Sequence, residues 1–582
     1  MNIKVKSLLT FIVFSINLSI GQPLICQPED VTMAAMDDEL SRTMKELRLP
    51  GHSRPYFCQF NIYENDDFSV EATLGAVTSR TSARQRTFDP IIRVGSYRFD
   101  NSNFTRPVNY YSNNGGESGY EQLSLISEAP LDRDYNAIRK TFWVNADYNY
   151  KKEVENLEQK RAYILERAKE DDLPDFSRGK PVKFLKEAES LAIDKEAWTE
   201  KIKRLSSIFR AYSGIRNSWV RFDERIINTW LITSEGTRVR NAERAVRILS
   251  YANAQAEDGS VITDGRVFLA HDRADLPSEE TMKKELTGLA RSLIERSGAA
   301  KADYYEGPVL FEGQAAAQLF ARVLAPYLIA YRKPLGTDYQ SITYDRLAKR
   351  LGRRVMPLFL SVRDDPISRR YKNTPLFGGF EVDDEGVLPE KLLLIDKGYL
   401  RTLCSGRNPS KYCSLSNGHG SLQGGVSAKH SVLYVEADKT QSRDQLVERL
   451  KKLGKAARLD SVLVVRRLAN SVRDGSLFES VDSQISELTS EEGQLTDPLD
   501  FYKIDLKSGK RTRLRDGKFG PVTMRILKDI VAAGDDACAY PVEDLSNNYY
   551  HLISPSVLIS EVEIEKRENV SKPPVIPGPM TF

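Results

Sequence analysis

The sequence is poor in the residues that announce chemistry. It has 5 histidines and 5 cysteines in 582 residues. No two histidines stand three or four apart, so a zincin-type helix motif is missing. There is no C-x-x-C pair, no phosphate-cradling G-x-x-x-x-G-K and no G-x-S-x-G elbow after a strand. An excess of positive charge is missing too: 84 Lys+Arg against 81 Asp+Glu leaves +3, which argues against a dedicated nucleic-acid binder held by phosphate neutralisation. Gly 35 and Pro 26 are no excess, so collagen-like and disordered classes are disfavoured. Beyond the first 21 residues no window reaches the roughly 18 apolar residues of a spanning helix.

What is present begins with the N-terminus. Lys4 and Lys6 precede the apolar run Leu8 to Phe14, continued by Ile16, Leu18 and Ile20. Ser19 and Gly21 put small residues three and one before a cut ahead of Gln22, so residues 1–21 are expected to be a signal peptide and the chain to be exported, periplasmic or secreted, with no stable span after cleavage. Cys26 invites lipidation, but Pro23-Leu24-Ile25 is a poor match to the small residues that reaction prefers. The other cysteines, Cys58, Cys404, Cys413 and Cys538, are too few and too scattered for a disulfide framework. Cys404 and Cys413 could close a small loop or stay unpaired.

The pattern along the rest predicts an α+β chain. An N-terminal α/β domain is expected over 30–235, a central strand and helix over 236–335, a C-terminal β-rich domain over 336–568 and a Pro-rich tail over 569–582. Helical periodicity covers 31–48, 133–172, 183–210, 277–299, 314–328, 441–455 and 520–533. Ser278 is placed to cap the fourth of these and Gly298 to end it. In the 133–172 helix, Val154, Leu157, Ile164, Leu165 and Ala168 mark the buried stripe. Antiparallel strands are expected from Tyr56 to Phe99 and from Ser218 to Ala254.

Three constellations carry candidate chemistry, each with a plain alternative. Asn417-Gly418-His419-Gly420-Ser421 is a Gly-flanked histidine on a loop, either a ligand-facing imidazole or an exposed turn. Glu381, Asp383, Asp384 and Glu385, joined by Asp364 and Asp365, could hold Ca²⁺ or form a solvated hairpin turn. Arg80, Arg84, Arg86 and Arg93 could take an anion or alternate along an exposed sheet face.

The order of segments EATLGAVTSRTSARQRTFDPIIRVGSYRFDNSNF, SEGTRVR with AQAEDG, GPVLFEGQAAAQLFARVL, GGFEVDDEGV, LSNGHGS and SPSVLISEVEI resembles the TldD/PmbA family over about residues 30 to 570. The resemblance implies an N-terminal α/β and a C-terminal β-rich domain. In the active TldD type it implies an H-E-x-x-x-H helix, joined by a later Cys, that binds zinc and cleaves unfolded or extended peptides inside a TldD–PmbA heterodimer. This chain departs from that pattern. Ala321, Arg322 and Pro326 stand where the motif should, and Ala cannot ligate while Arg puts a fixed positive charge in place of the base. Tyr549-Tyr550-His551 brings no Cys before Ser554, and Cys538 is the only thiol nearby.

The expectation is a PmbA-like, zinc-less subunit without cofactor. Its partners would be a TldD-like zinc protease subunit, or a second copy, and an extended peptide, with Asn417 and His419 as candidate binding residues. Two alternatives stay open: an exported peptidase with an unconventional site around His419 or His430 and an acidic residue or Cys404, and a stand-alone exported binding protein.

Overall fold

A computed structural model describes residues 30–105, 128–167, 172–336, 345–422, 428–469, 495–543 and 549–567. The expected signal peptide, Cys26 and the Pro-rich tail lie outside the described residues.

Two long hairpins build the first sheet. Strands β1 (Pro55–Thr73) and β2 (Ala76–Val94) meet at Leu74-Gly75, where both residues take positive φ, 46° and 80°, the geometry that suits a twisted two-residue hairpin. Strands β3 (Ile215–Thr233), β4 (Arg238–Gln255) and β5 (Val261–Ala270) continue the sheet antiparallel in the order β2-β1-β3-β4-β5, and Lys183–Leu185 adds a short parallel strand on β4. The expected boundary at 235 therefore falls inside the β3–β4 hairpin, and the sheet runs on to Ala270.

Strand alternation gives this sheet two different faces. Even-numbered residues such as Phe60, Ile62, Val70, Val220 and Phe222 are buried under helices. Helices α1 (Val31–Glu46) and α2 (Tyr135–Glu166) cover one end, with Phe142 stacked on Phe60 at 4.4 Å. Helices α3 (Lys195–Ser206) and α4 (Glu279–Ser297) cover the other, with Trp198 stacked on Phe222 at 4.1 Å. Burying one such ring contributes about 2–3 kcal/mol. Each of the four helices starts on a side-chain cap, from Asp30, Asp134, Asp194 and Ser278, which satisfies an otherwise orphaned N–H. The expected stripe on α2 stops at Leu157: Leu165 is 89% exposed, while Lys160 is buried on Asp175 at 2.7 Å.

The C-terminal domain stacks two more sheets around one helix. Strand β6 (Tyr305–Phe311) sits within an eight-stranded sheet, between Ser461–Leu468 and Val557–Lys566. Helix α5 (Gln314–Val323) follows it and lies in the core between this sheet and a six-stranded one built on Leu360–Asp364 and Leu433–Ala437. Ala315, Ala316 and Ala317 are completely buried, and their small size lets a helix fit where two sheets close on it. Helix α6 (Arg443–Ala456) covers the opposite face of the eight-stranded sheet through Leu446 and Leu450, so β6 is apolar on both sides.

Some local expectations differ from what forms. The helix read over 520–533 is a short 3₁₀ turn, Met524–Asp529, followed by a strand, Ile530–Ala533, because Ile530 pairs with Ile559 and completes the sheet edge. Only Lys195–Ser206 of 183–210 is α-helical, continued by a 3₁₀ turn. The arginines do not all alternate on an exposed face: Arg86 is buried on Glu64 and the Pro130 carbonyl, and Arg93 on Asp100 at 3.0 Å. No described helix is long and apolar enough to cross a membrane.

Candidate functional site

The odd-numbered face of the N-terminal sheet looks onto the C-terminal domain across a cavity of about 1060 Å³. Tyr63, Ile227, Thr229 and Leu231 form part of the sheet wall, with Asn241 and Glu243 of β4 beside them. Opposite stand the last turn of α5, the loop around Phe377 and Phe380, and Lys429-His430. The cleft is mixed in character, with aromatic patches beside paired charges. His271 stacks on Phe377 at 4.1 Å and donates from Nε2 to the Leu376 carbonyl at 2.8 Å. Lys429 bonds Asp384 at 2.7 Å, and Arg369 bonds Glu381 at 2.7 Å. Glu243 reaches water inside the cleft yet is enclosed by protein, and that enclosure raises its carboxyl above the ordinary range despite Lys429 nearby.

Ala321 and Arg322 end α5, Pro326 sits in the following 3₁₀ turn, and all three line the cleft. A methyl group, a guanidinium and a pyrrolidine ring have no lone pair to give a metal. These positions do not fit the zinc ion that the TldD pattern implies, and no step is derived through one.

The loop expected to present His419 to solvent turns inward instead, and neither Asn417 nor His419 lines the cleft. Gly418 takes φ of 75° beneath Leu388-Pro389, and the imidazole that follows is completely buried. Its Nε2 lies 3.0 Å from Asp364 Oδ1, and its Nδ1 lies 3.0 Å from the Asn417 carbonyl. Asp364 also accepts from the Ser431 N–H at 2.8 Å and from the Ser431 hydroxyl. Buried Cys404 completes a group whose donor atoms all lie within 4.8 Å of one another. Cys, His and Asp make the composition of a nucleophilic triad, but both ring nitrogens are already engaged by oxygen. Burial and Asp364 push the Cys404 thiol far up, so a reactive thiolate is not on offer. Cys404 and Cys413 are free thiols and do not close their loop.

The acidic run is no solvated turn. Asp383 and Glu385 are buried, and Asp383 accepts the N–H groups of Glu385, Val387 and Gly420 at 3.0, 2.8 and 2.7 Å. Glu385 accepts the Arg407 N–H at 2.5 Å. Oxygens so occupied by N–H donors are not arranged for Ca²⁺. Burial raises Asp383 to about 6, and burial with the neighbouring Asp383 charge raises Glu385 to about 8.

The cleft wall was missed in the sequence. Part of its signal was there, since Asn241, Glu243 and Arg247 put polar groups on the odd side of a strand whose Val246, Ile248 and Ala252 are core, but which face meets another domain is not a local property. The pairing of His419 with Asp364 joins residues 55 apart in the chain and left no local trace.

The chain thus has a mixed fold, with an antiparallel N-terminal sheet, a β-rich C-terminal domain and a cleft between them. Residues 305–566 match the PmbA/TldA metallopeptidase C-terminal domain. That match places the C-terminal region in the PmbA/TldD family, and solved structures share the fold of nearly the whole chain. Similar folds include a candidate modulator of a DNA gyrase from Thermotoga maritima, 15% identical with a TM-score of 0.58 over 91% of this chain and 99% of that one. TldE from Thermococcus kodakarensis is 14% identical with a TM-score of 0.53 over 91% and 100%. A candidate modulator of DNA gyrase from Bacteroides thetaiotaomicron is 12% identical with a TM-score of 0.55 over 92% and 98%. No curated protein matches the chain.

Proposed function

We propose that this chain is an exported, non-catalytic subunit that binds extended peptide in the interdomain cleft and pairs with a zinc-bearing member of its family. The observation that carries the reading is the cleft wall itself, where Ala321, Arg322 and Pro326 stand in place of ligands and base. The likeness of fold to a protein named TldE supports the same role. Apolar rings beside paired charges suit an unfolded segment, which carries both kinds of side chain and a backbone with free hydrogen-bonding groups.

The test is binding of fluorescent extended peptides by anisotropy, with and without a co-expressed TldD-type subunit. Ala321→Trp fills the cleft and is expected to weaken peptide binding about tenfold or more while circular dichroism stays unchanged. A heteromer in light scattering supports the partnership, whereas a homomer with no heteromer favours a stand-alone binding protein. Peptidase activity that survives chelation would overturn the non-catalytic reading. Export is tested by N-terminal sequencing, which should begin at Gln22.

A further inference from the structure

We propose that Asp364, Cys404 and His419 form a buried site for one zinc-class divalent metal ion, separate from the cleft and structural in role. The first ground is the donor set. A carboxylate, a thiol and an imidazole, the ligand types zinc takes, converge within 4.8 Å and are completely shielded from solvent.

The second ground is a hydrogen-bond conflict. Nδ1 of His419 faces two oxygens of Asn417, its carbonyl at 3.0 Å and its amide oxygen at 3.1 Å. The amide cannot be turned round, because its oxygen accepts the Ser405 N–H at 2.8 Å and its nitrogen donates to the Leu403 carbonyl at 2.8 Å. Nδ1 must therefore carry the hydrogen, which leaves the Nε2 lone pair pointing at Asp364 Oδ1, itself an acceptor, 3.0 Å away. A proton, on the ring or on the carboxyl, or a metal ion has to lie between them. An Nδ1–H held by a backbone carbonyl is also how a metal-binding histidine is oriented.

The third ground is charge and support. A thiolate and a carboxylate neutralise a divalent ion, so the loaded site would bury no net charge. Each ligand is fixed from outside the site. Cys404 is bridged to the segment 328–330, its N–H bonding the Leu328 carbonyl at 2.9 Å and its carbonyl taking the Ala330 N–H at 2.8 Å, while Ser431 clamps Asp364. His430, one residue before Ser431, is half-buried at the cleft and has an Nδ1 with no hydrogen-bond partner among the described residues, but it stands outside the donor group, so the site offers three protein ligands and an open position.

The experiment uses the full chain purified without a polyhistidine tag. Metal content by plasma mass spectrometry is expected to be about one equivalent of a zinc-class ion per chain. Cys404→Ser and His419→Gln should lower it about tenfold or more, and Asn417→Ala, which releases the ring, should weaken retention against chelator about tenfold. The cobalt-loaded protein should show a thiolate-to-cobalt charge-transfer band that Cys404→Ser removes and Cys413→Ser keeps. The wild-type cobalt spectrum decides the matter even if Cys404→Ser does not fold, since a band there requires a thiolate ligand and its absence overturns the proposal. Wild-type protein that holds no metal and takes up neither Zn²⁺ nor Co²⁺ would also overturn it, leaving an imidazolium–carboxylate pair. So would metal that survives both ligand variants.

Discussion

Arg407 of the C-terminal domain bonds Glu235, in the turn between β3 and β4, at 2.8 Å. The same guanidinium donates to the Ser177 carbonyl at 2.7 Å and lies 4.0 Å over the ring of Phe176. Glu235 in turn accepts from the Tyr97 hydroxyl at 2.6 Å. The arginine is almost fully buried, so removing its carboxylate leaves a charge without a partner. Glu235→Gln is expected to cost about 3 kcal/mol, read from the midpoint of urea unfolding. Because this pair ties the two walls of the cleft together, peptide affinity should fall in the same variant.

Asp264 sets up a second bond between the domains and gives the acid side of the stability profile. Arg296 approaches it at 3.0 Å and Arg467, from the C-terminal domain, at 2.7 Å. Burial alone would raise this carboxyl, but Arg467, Arg296 and Arg266 outweigh it and hold it below the ordinary range. A lowered carboxyl contributes stability that is present above the unfolded-state value, about 4, and lost as pH falls through the folded-state value. Asp264→Asn should therefore destabilise the protein by about 3–5 kcal/mol at neutral pH. The loss should shrink as pH is lowered below 4, which unfolding titrations at neutral and acidic pH would reveal.

Glu385 and Asp383 act with the opposite sign. Both are raised in the fold, so the stability linked to their protonated forms is complete below about pH 4 and is lost as pH rises through about 6 and then about 8. Between pH 5 and pH 8.5 the wild-type midpoint should fall, and Glu385→Gln should flatten that decline. A slope identical in the variant would rule Glu385 out as its source.

How much of this could be read from the chain follows from what each feature depends on. The helix over 31–48, the helix capped by Ser278 and the hairpin turning at Ser234 to Thr237 rest on neighbours in sequence and were legible, whereas Asn65-Asp66-Asp67, which reads as a turn, runs straight through β1 and the chain reverses at Leu74-Gly75 instead. The long antiparallel sheet was legible as far as Ala254, but its last strand, β5, was not, because Val261–Ala270 is short and breaks its alternation at Asp264-Gly265-Arg266. Buried polar groups were the systematic failure. Arg86, Arg93, Lys160, Asp383, Glu385 and His419 look like surface residues in a sequence, and each is buried because a partner far along the chain satisfies it. Composition cannot carry that information, since long-range pairing alone decides whether a charge is solvated or enclosed.

Two glycines give a test of the loop geometry with opposite expected signs. Gly418 has φ of 75°, and a methyl group there would stand 2.2 Å from the Leu388 carbonyl oxygen and 2.5 Å from Pro389 Cα. Both neighbours are backbone, so neither can rotate away, and the left-handed conformation adds about 1 kcal/mol for any residue with a Cβ. Gly418→Ala should cost about 2–4 kcal/mol, and it should also disturb His419, whose burial depends on the turn. Gly288 sits on the exposed side of α4 with nothing within 4 Å of a would-be Cβ, and there the helix gains from alanine. Gly288→Ala should stabilise by about 0.5–1 kcal/mol. Unfolding midpoints of the two variants that moved in the same direction would show that the 417–420 turn is not packed as the structure has it.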